Sequence, residues 1–393
     1  MQITKEQVKA WHACTDGFRW FLDKFPQGGA YADVHGALIA DKRFDDARWL
    51  VDKMYRTHLD KPEFIQAETA ATDKMVGELT SMEHPSDQVE GENSSGNYAQ
   101  IGSSGYNARI GSSGDDARIG SSGDDAQIGS SGDDARIGSS GYNARIGSSG
   151  DDAQIGSSGN YAQIGSSGYN ARIGSSGDDA RIGSSGDDAR IGSSGNYAQI
   201  GSSGYNAQIG SSGNYAQIGS SGYNARIGSS GDDARIGSSG DDARIGSSGN
   251  YAQIGSSGYN AQIGSSGNYA QIGSSGYNAR IGSSGDDARI GSSGDDARIG
   301  SSGDDAQIGS SGYNARIGSS GDDARITASG KGSVVACAGN IERIVLGEGS
   351  CASVPWHDGN RTRIAVAYVG ENGIEANTPY YVNDEGQFVK VEE

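Results

Sequence analysis

The residues of this chain that could do chemistry are mostly aspartates in pairs. Twelve Asp-Asp pairs recur between Asp115 and Asp323, each followed after one alanine by Arg or Gln. Paired carboxylates can serve as acid and base or hold a hard cation through their oxygens. Acid–base work needs one group in a tuned environment, and a dozen equivalent pairs define no unique pocket. His12 with Cys14, and Cys351 with His357, are the other candidate pairs, and neither has the four-ligand spacing of a zinc site. Gly-x-x-Gly occurs throughout without the Lys of a phosphate loop. The residues therefore predict no catalytic residue, no metal site and no cofactor.

The aspartates are positioned by a repeat. Residues 92–325 are twenty-six copies of a nine-residue unit, Ile-Gly-Ser-Ser-Gly-x-x-Ala-Arg/Gln. The x-x pair is Asp-Asp twelve times, Tyr-Asn eight times and Asn-Tyr six times, while Ile, Gly, Ser, Ser, Gly and Ala return unchanged from Ile101 to Ala324. A fixed short period over that length predicts a stacked repeat protein. Side-chain alternation sends Ala and Ile inward and the second x and Arg/Gln outward. Gly-Ser-Ser-Gly then reads as the corner, with Gly free to take positive φ.

One strand and one corner cannot close around a core, so two repeats are expected per coil. From Asn160 onward, Asn-Tyr and Tyr-Asn pairs occupy alternate repeats, as two different corners require; Asn97-Tyr98, Tyr106-Asn107 and Tyr142-Asn143 follow the opposite phase. Duplication of larger blocks gives the same pattern, since 191–244 recurs unchanged as 245–298. Gly- and Ser-rich stretches are otherwise flexible linkers, but a linker has no reason to keep Ile at every ninth position.

Calcium has a specific precedent in nine-residue β-roll repeats with Asp in the turns. Here one Gly of that pattern is lost, fourteen repeats carry Tyr and Asn, and fifteen carry a nearby Arg that competes for the carboxylates. Ladders in which Arg offsets stacked Asp are the expected arrangement.

The ends differ from the middle, holding all the Trp, Pro, His and Cys residues. Residues 1–85 are expected to form a small helical domain. Thr4-Lys5-Glu6-Gln7 is a capping box, and Asp16 is placed to cap a second helix running through Phe18, Trp20, Phe21 and Phe25 to Pro26. Val34, Leu38 and Ile39, then Ala47, Leu50, Val51 and Met54, give two more helical stripes. Pro62 could open a last helix toward Met75 and Leu79. Residues 86–334 form the solenoid. Residues 335–393 form degenerate last coils, with Val335, Ile344 and Val354 inside, and a β-rich cap containing strands at 363–369, 380–382 and 387–391, the last two as a hairpin. The fold class is thus mainly β: a parallel β-solenoid with two nine-residue repeats per coil, a small α-helical N-terminal domain and a small β cap.

Composition sets the surroundings. There is no apolar stretch of spanning length and no basic-then-apolar leader at Met1-Gln2-Ile3-Thr4, so a soluble, non-exported chain is expected. Cys14, Cys337 and Cys351 leave at least one thiol unpaired, which suits a reducing compartment. A formal charge of -19 argues against direct nucleic-acid binding, which needs clustered Lys and Arg.

Ala13-Cys14-Thr15-Asp16-Gly17-Phe18-Arg19-Trp20-Phe21, the long nonapeptide array, and the tail with Asn377-Thr378-Pro379-Tyr380-Tyr381 and Gly386-Gln387-Phe388-Val389 together resemble uncharacterised phage and prophage repeat proteins. The resemblance implies a β-solenoid in the cytoplasm of a host bacterium and carries no established activity. The Ile-Gly-Ser pieces also resemble the heads of trimeric autotransporter adhesins, whose longer repeats, stalk and anchor are missing.

The expected function is a non-enzymatic interaction protein that presents an acidic and aromatic face to a protein partner. A sharper version is a DNA mimic that inhibits a host nucleic-acid-binding or defence protein; a structural fibre or adhesin element is the alternative. The candidate binding face comprises Asp232, Asp233, Asp241, Asp242, Asp286, Asp287, Asp295 and Asp296, with the Asn214-Tyr215 and Asn268-Tyr269 pairs as its aromatic positions. Oligomerisation through the helical domain is a further expectation.

Overall fold

A computed structural model describes residues 2–58 and 92–392 of the chain. The fold is mainly β, a parallel β-solenoid preceded by a few helices. Its contacts divide it into two compact units, Met1–Gln199 with Gln208–Ser212, and Ile200–Ala207 with Gly213–Glu393.

The first unit begins with four helices: α1 (Lys5–Ala10), α2 (Thr15–Lys24), α3 (Tyr31–Ala40) and α4 (Phe44–His58). The Thr4 capping box forms as expected, with Gln7 N–H donating to Thr4 Oγ1 at 3.3 Å and Thr4 N–H donating to Gln7 Oε1 at 2.9 Å. The cap of α2 is not Asp16. Cys14 Sγ accepts the Gly17 N–H at 3.2 Å, because the helix opens at Thr15 and leaves Asp16 inside its first turn, where a carboxylate favours the positive end of the helix. Asp16 instead pairs with Arg43 at 2.6 Å. Val8, Phe21, Val34, Leu38, Leu50, Val51 and Met54 form the helical core, joined by Ile3, whose short strand pairs antiparallel with Gly29–Ala30. The helix expected to open at Pro62 lies outside the described residues.

Each repeat contributes one four-residue strand, Arg/Gln-Ile-Gly-Ser, as in Arg235–Ser238. Alternate repeats stack: Ile110 lies beside Ile128 and Ile101 beside Ile119, eighteen residues apart, so one coil holds two repeats. In the second unit the same register carries Ile218 through Ile236 and Ile254 on one sheet, and Ile227 through Ile245 and Ile263 on the other. The parallel ladder continues beyond the strand ends. Arg235 N–H reaches Ala216 O at 2.8 Å and Ser239 N–H reaches Ser220 O at 3.0 Å.

The inward face is Ala, Ile and the first Ser. Ala234 is fully buried, Ile236 is 3% exposed and Ser238 is 6% exposed. The strand thus extends two residues further into Gly-Ser-Ser-Gly than the turn reading allows, through Gly237 and Ser238, and alternation carries that Ser inside. Burying each Ile contributes about 1.5–3 kcal/mol, and a coil brings two.

The corner also differs from expectation in which residue turns it. Positive φ falls on the second x residue, for example 57° at Asp233 and 58° at Tyr251, and on none of the repeat glycines. The corner glycine serves another need, which is space. A Cβ on Gly240 would sit 1.9 Å from Gly222 O, one coil earlier. Only a residue without Cβ lets the corners stack at the strand spacing of about 4.8 Å.

At the end of the second unit the parallel stack continues as Ile326 beside Ile344 and Val335 beside Ala352. Val335, Ile344 and Val354 are buried. Antiparallel strands then cover both sheets. Thr362–Tyr368 lies against Cys351–His357, and Pro379–Val382 lies against Ile341–Leu346 and forms a hairpin with Phe388–Lys390. Open edges invite pairing with other chains, and reversing the strand direction ends the parallel template. Cys14, Cys337 and Cys351 are all free thiols. Among the described residues no helix is long and apolar enough to cross a membrane.

Candidate interaction surface

The two corners of a coil are built differently, and the x-x pair decides how. At the corner before the Ile218-type strands, the first x residue is Asn or Asp in every repeat from Asn160 to Asp322. Its side-chain oxygen accepts the backbone N–H of the same position one coil later. Asn214 Oδ1 takes Asp232 N–H at 2.9 Å, Asp232 takes Asn250 at 2.8 Å, Asn250 takes Asn268 at 3.0 Å, and the ladder continues through Asp286 and Asp304. Asn and Asp are interchangeable here because each supplies one acceptor oxygen.

At the other corner the first x residue is often Tyr, and the ladder is intermittent: Asp241 accepts from Tyr259 N–H and Asp295 from Tyr313 N–H, both at 2.7 Å. The alternation of Asn-Tyr and Tyr-Asn thus has a structural meaning. From Asn160 onward it keeps Asn or Asp at every first position of one corner and gives the first position at the other corner to tyrosine in most coils.

This ladder is additional to the expected offsetting of stacked Asp by Arg, since the charges of Asp116 and Asp134 act favourably on Arg136. These aspartates direct an oxygen to backbone N–H groups, and Arg and Gln stack in rows of their own, Arg226 beside Arg244 and Arg280 beside Arg298. Among the described residues no cluster of three or more His, Cys, Asp or Glu side chains is placed to hold a metal ion.

The aromatic residues are exposed on both corners. Tyr251 and Tyr269 stack with centroids 5.0 Å apart and planes 5° from parallel; Tyr205 and Tyr223 stack at 5.8 Å and 21°. Tyr251 and Tyr269 sit at the second x position with φ of 58° and 60°. Bulky residues adopt that left-handed conformation at a cost of roughly 1–2 kcal/mol, which Asn bears more easily. Hydrogen bonds to Asp241 and Asp296 raise the phenol pKa values of Tyr223 and Tyr277, while Asp287 raises that of Tyr269 chiefly by its charge.

The candidate residues therefore fall on two columns. Asn214-Tyr215, Asp232-Asp233, Asn268-Tyr269 and Asp286-Asp287 share the corner with the continuous ladder, and Asp241-Asp242 and Asp295-Asp296 lie on the other. Asp232, Asp241, Asp286 and Asp295 each commit an oxygen to the ladder. Asp233, Asp242, Asp287 and Asp296 hold the left-handed position.

A second surface, invisible in the sequence, lies in the first unit where α3 and α4 meet the solenoid. Arg48 pairs with Asp152 at 2.9 Å, Asp52 approaches Arg190 at 3.4 Å, and His35 Nε2 lies 3.4 Å from Arg172 Nη1. On this stretch the outward Gly156, Gly174 and Gly192 are buried, whereas Gly129, Gly147 and Gly165 of the other sheet are exposed. The only sequence signal was the bare glycine at an outward strand position, which leaves a flat strip for close approach.

These features define a capped parallel β-solenoid carrying a docked N-terminal helical domain. Residues 1–59 match the family described as the YdhT N-terminal domain. The chain is also similar to a protein of Escherichia coli (strain K12) described as "Uncharacterized protein YdhT", 36% identical over 76 residues. That alignment covers 19% of this chain and 28% of the relative, so the likeness concerns a minority of either protein. No solved structure matches the chain.

Proposed function

We propose that the protein is a non-enzymatic interaction protein whose corner columns bind a protein partner bearing a basic, aromatic-tolerant surface. One observation carries this reading: Tyr251 and Tyr269 are about half exposed, stacked in register and held in left-handed backbone. Strain at an exposed aromatic that does nothing for the core points to a role in recognition. The repeated carboxylates beside these rings supply charge complementarity. A phage-type protein acting in the cytoplasm of a host bacterium is the setting in which this reading places it.

The sharper version, mimicry of DNA, asks for more charge than the repeats hold. Twenty-four aspartates and Glu92 against fifteen arginines leave -10 over 92–325, whereas duplex DNA carries one charge per ~1.7 Å. The favoured partner is therefore a protein with a modest basic patch.

The test is capture from bacterial lysate by the wild-type chain and by a variant in which Asp232, Asp233, Asp241, Asp242, Asp286, Asp287, Asp295 and Asp296 all become Asn. Asn keeps the acceptor ladder and removes the charge. A specific partner lost by the variant, and weakened by salt as screening shortens to about 8 Å at physiological ionic strength, supports the reading. Competition by duplex DNA would establish mimicry. A partner indifferent to the charge change and to salt would leave a fibre or adhesin role as the better account.

A further inference from the structure

The helical segment of the first unit lines a half-open pocket of about 300 Å³ that the solenoid's corners do not involve. Its inner lining is the buried apolar set Val8, Phe21, Val34, Leu38 and Leu50. Trp20 and Trp49 also line it, and both rings are fixed by neighbours, with the Arg43 guanidinium over the Trp20 ring at 5.9 Å from its centroid. Trp20 Nε1–H donates to Asp41 at 2.7 Å, and Trp49 meets Trp11 edge to face at 6.4 Å. The cavity is thus preformed rather than assembled by closure. Small-molecule sites have this character, apolar with a few fixed polar groups, and their volumes start at roughly 300 Å³.

The polar residues that line it are His12, Cys14, Asp45 and Asp46. Asp46 is already paired with Arg43 at 2.5 Å, and Arg43 also binds Asp16 at 2.6 Å. Asp45 is exposed and has no ion-pair partner among the described residues. Gly17 keeps the site open beside these groups, since a Cβ there would lie 3.1 Å from Asp46 Oδ1 and 3.2 Å from Cys14 Sγ. An apolar chamber with two fixed indole rings and one uncommitted carboxylate is complementary to a flat aromatic body carrying a positive charge.

We infer that this cavity is a binding site for a small aromatic cation, with the ring system between Trp20 and Trp49 and the ammonium group at Asp45. The inference is independent of the solenoid's proposed partner.

Three probes on one ring test it: tryptamine, indole and indole-3-acetate, added to the full chain and followed by ligand-observed NMR and calorimetry. Tryptamine binds saturably with one site, indole about ten-fold more weakly, and indole-3-acetate more weakly than indole. Asp45→Asn brings tryptamine down to the level of indole and leaves indole unchanged. Ala13→Leu, which fills the cavity from its half-buried wall, abolishes binding of all three. Absence of saturable tryptamine binding at millimolar concentration overturns the inference, as does equal binding of tryptamine and indole-3-acetate. Should Ala13→Leu not fold, the Asp45→Asn comparison decides alone, and unchanged tryptamine affinity in that variant overturns the assignment.

Discussion

His35 Nε2 lies 3.4 Å from the Arg172 guanidinium, across the seam between α3 and a solenoid strand. Burial, then the charges of Arg172 and Arg136, hold the imidazole neutral and lower its pKa from 6.5 to about 3. A neutral ring can accept the Arg172 N–H; an imidazolium cannot.

The seam is accordingly sensitive to acid. Above pH 6.5 the ring is neutral in folded and unfolded chains, and its contribution to stability is complete. Between pH 6.5 and 3 only the unfolded ring takes up the proton, so stability falls by up to about 1.4 kcal/mol per pH unit. Melting temperature measured at pH 7 and pH 5 should drop, and His35→Gln should flatten that dependence. Exposed Asp134 and partly exposed Asp152 have pKa values raised chiefly by desolvation, and comparing wild type with His35→Gln separates the imidazole from these carboxylates.

Two glycines three residues apart should respond oppositely to the same substitution. Gly240→Ala forces a Cβ to within 1.9 Å of Gly222 O, whereas a Cβ at Gly237 meets nothing within 4 Å. Thermal unfolding should show a loss of more than about 2 kcal/mol for Gly240→Ala, a clash that the stacked backbone cannot relax. Gly237→Ala should be neutral or stabilising by up to about 1 kcal/mol, because Gly costs more chain entropy in a strand than Ala. Equal effects would refute the stacking explanation of the corner.

The aspartate ladder should depend on an oxygen and not on a charge or a metal. Asp232→Asn retains the acceptor for Asn250 N–H and should leave the melting temperature within about 1 °C-scale error of wild type, while Asp232→Ala should cost about 1 kcal/mol. Excess chelator should change neither strand content nor melting temperature. Unfolding by chelator would return calcium to the account.

Tyrosine at the left-handed corner separates recognition from stability. Tyr251→Asn and Tyr269→Asn together should stabilise the coil slightly or leave it unchanged, since Asn tolerates positive φ. The same double variant should weaken capture of the partner several-fold. A large loss of stability with unchanged binding would assign these rings to the structure instead.

The periodicity made the stacking order legible. Ile at every ninth position with Ala two residues before it encodes an inward pair, and the alternation of Asn-Tyr with Tyr-Asn marks two unlike corners, because side-chain direction and repeat spacing are local properties of the backbone. The capping box at Thr4 and the helical stripes were readable for the same reason. What the sequence could not express was which atoms come close across eighteen residues or more. Gly240 looks like a turn glycine until Gly222 O is seen above it, and Asp232 looks like surface charge until its oxygen is found on Asn250 N–H. Asp16 looks like a helix cap, yet the register of α2 gives that place to Cys14. The docking of His35, Arg48 and Asp52 on the solenoid, and the cavity between Trp20 and Trp49, depend on distant segments meeting at ångström spacing. Close packing of that kind is decided by the three-dimensional fit of whole surfaces, and no local pattern records it.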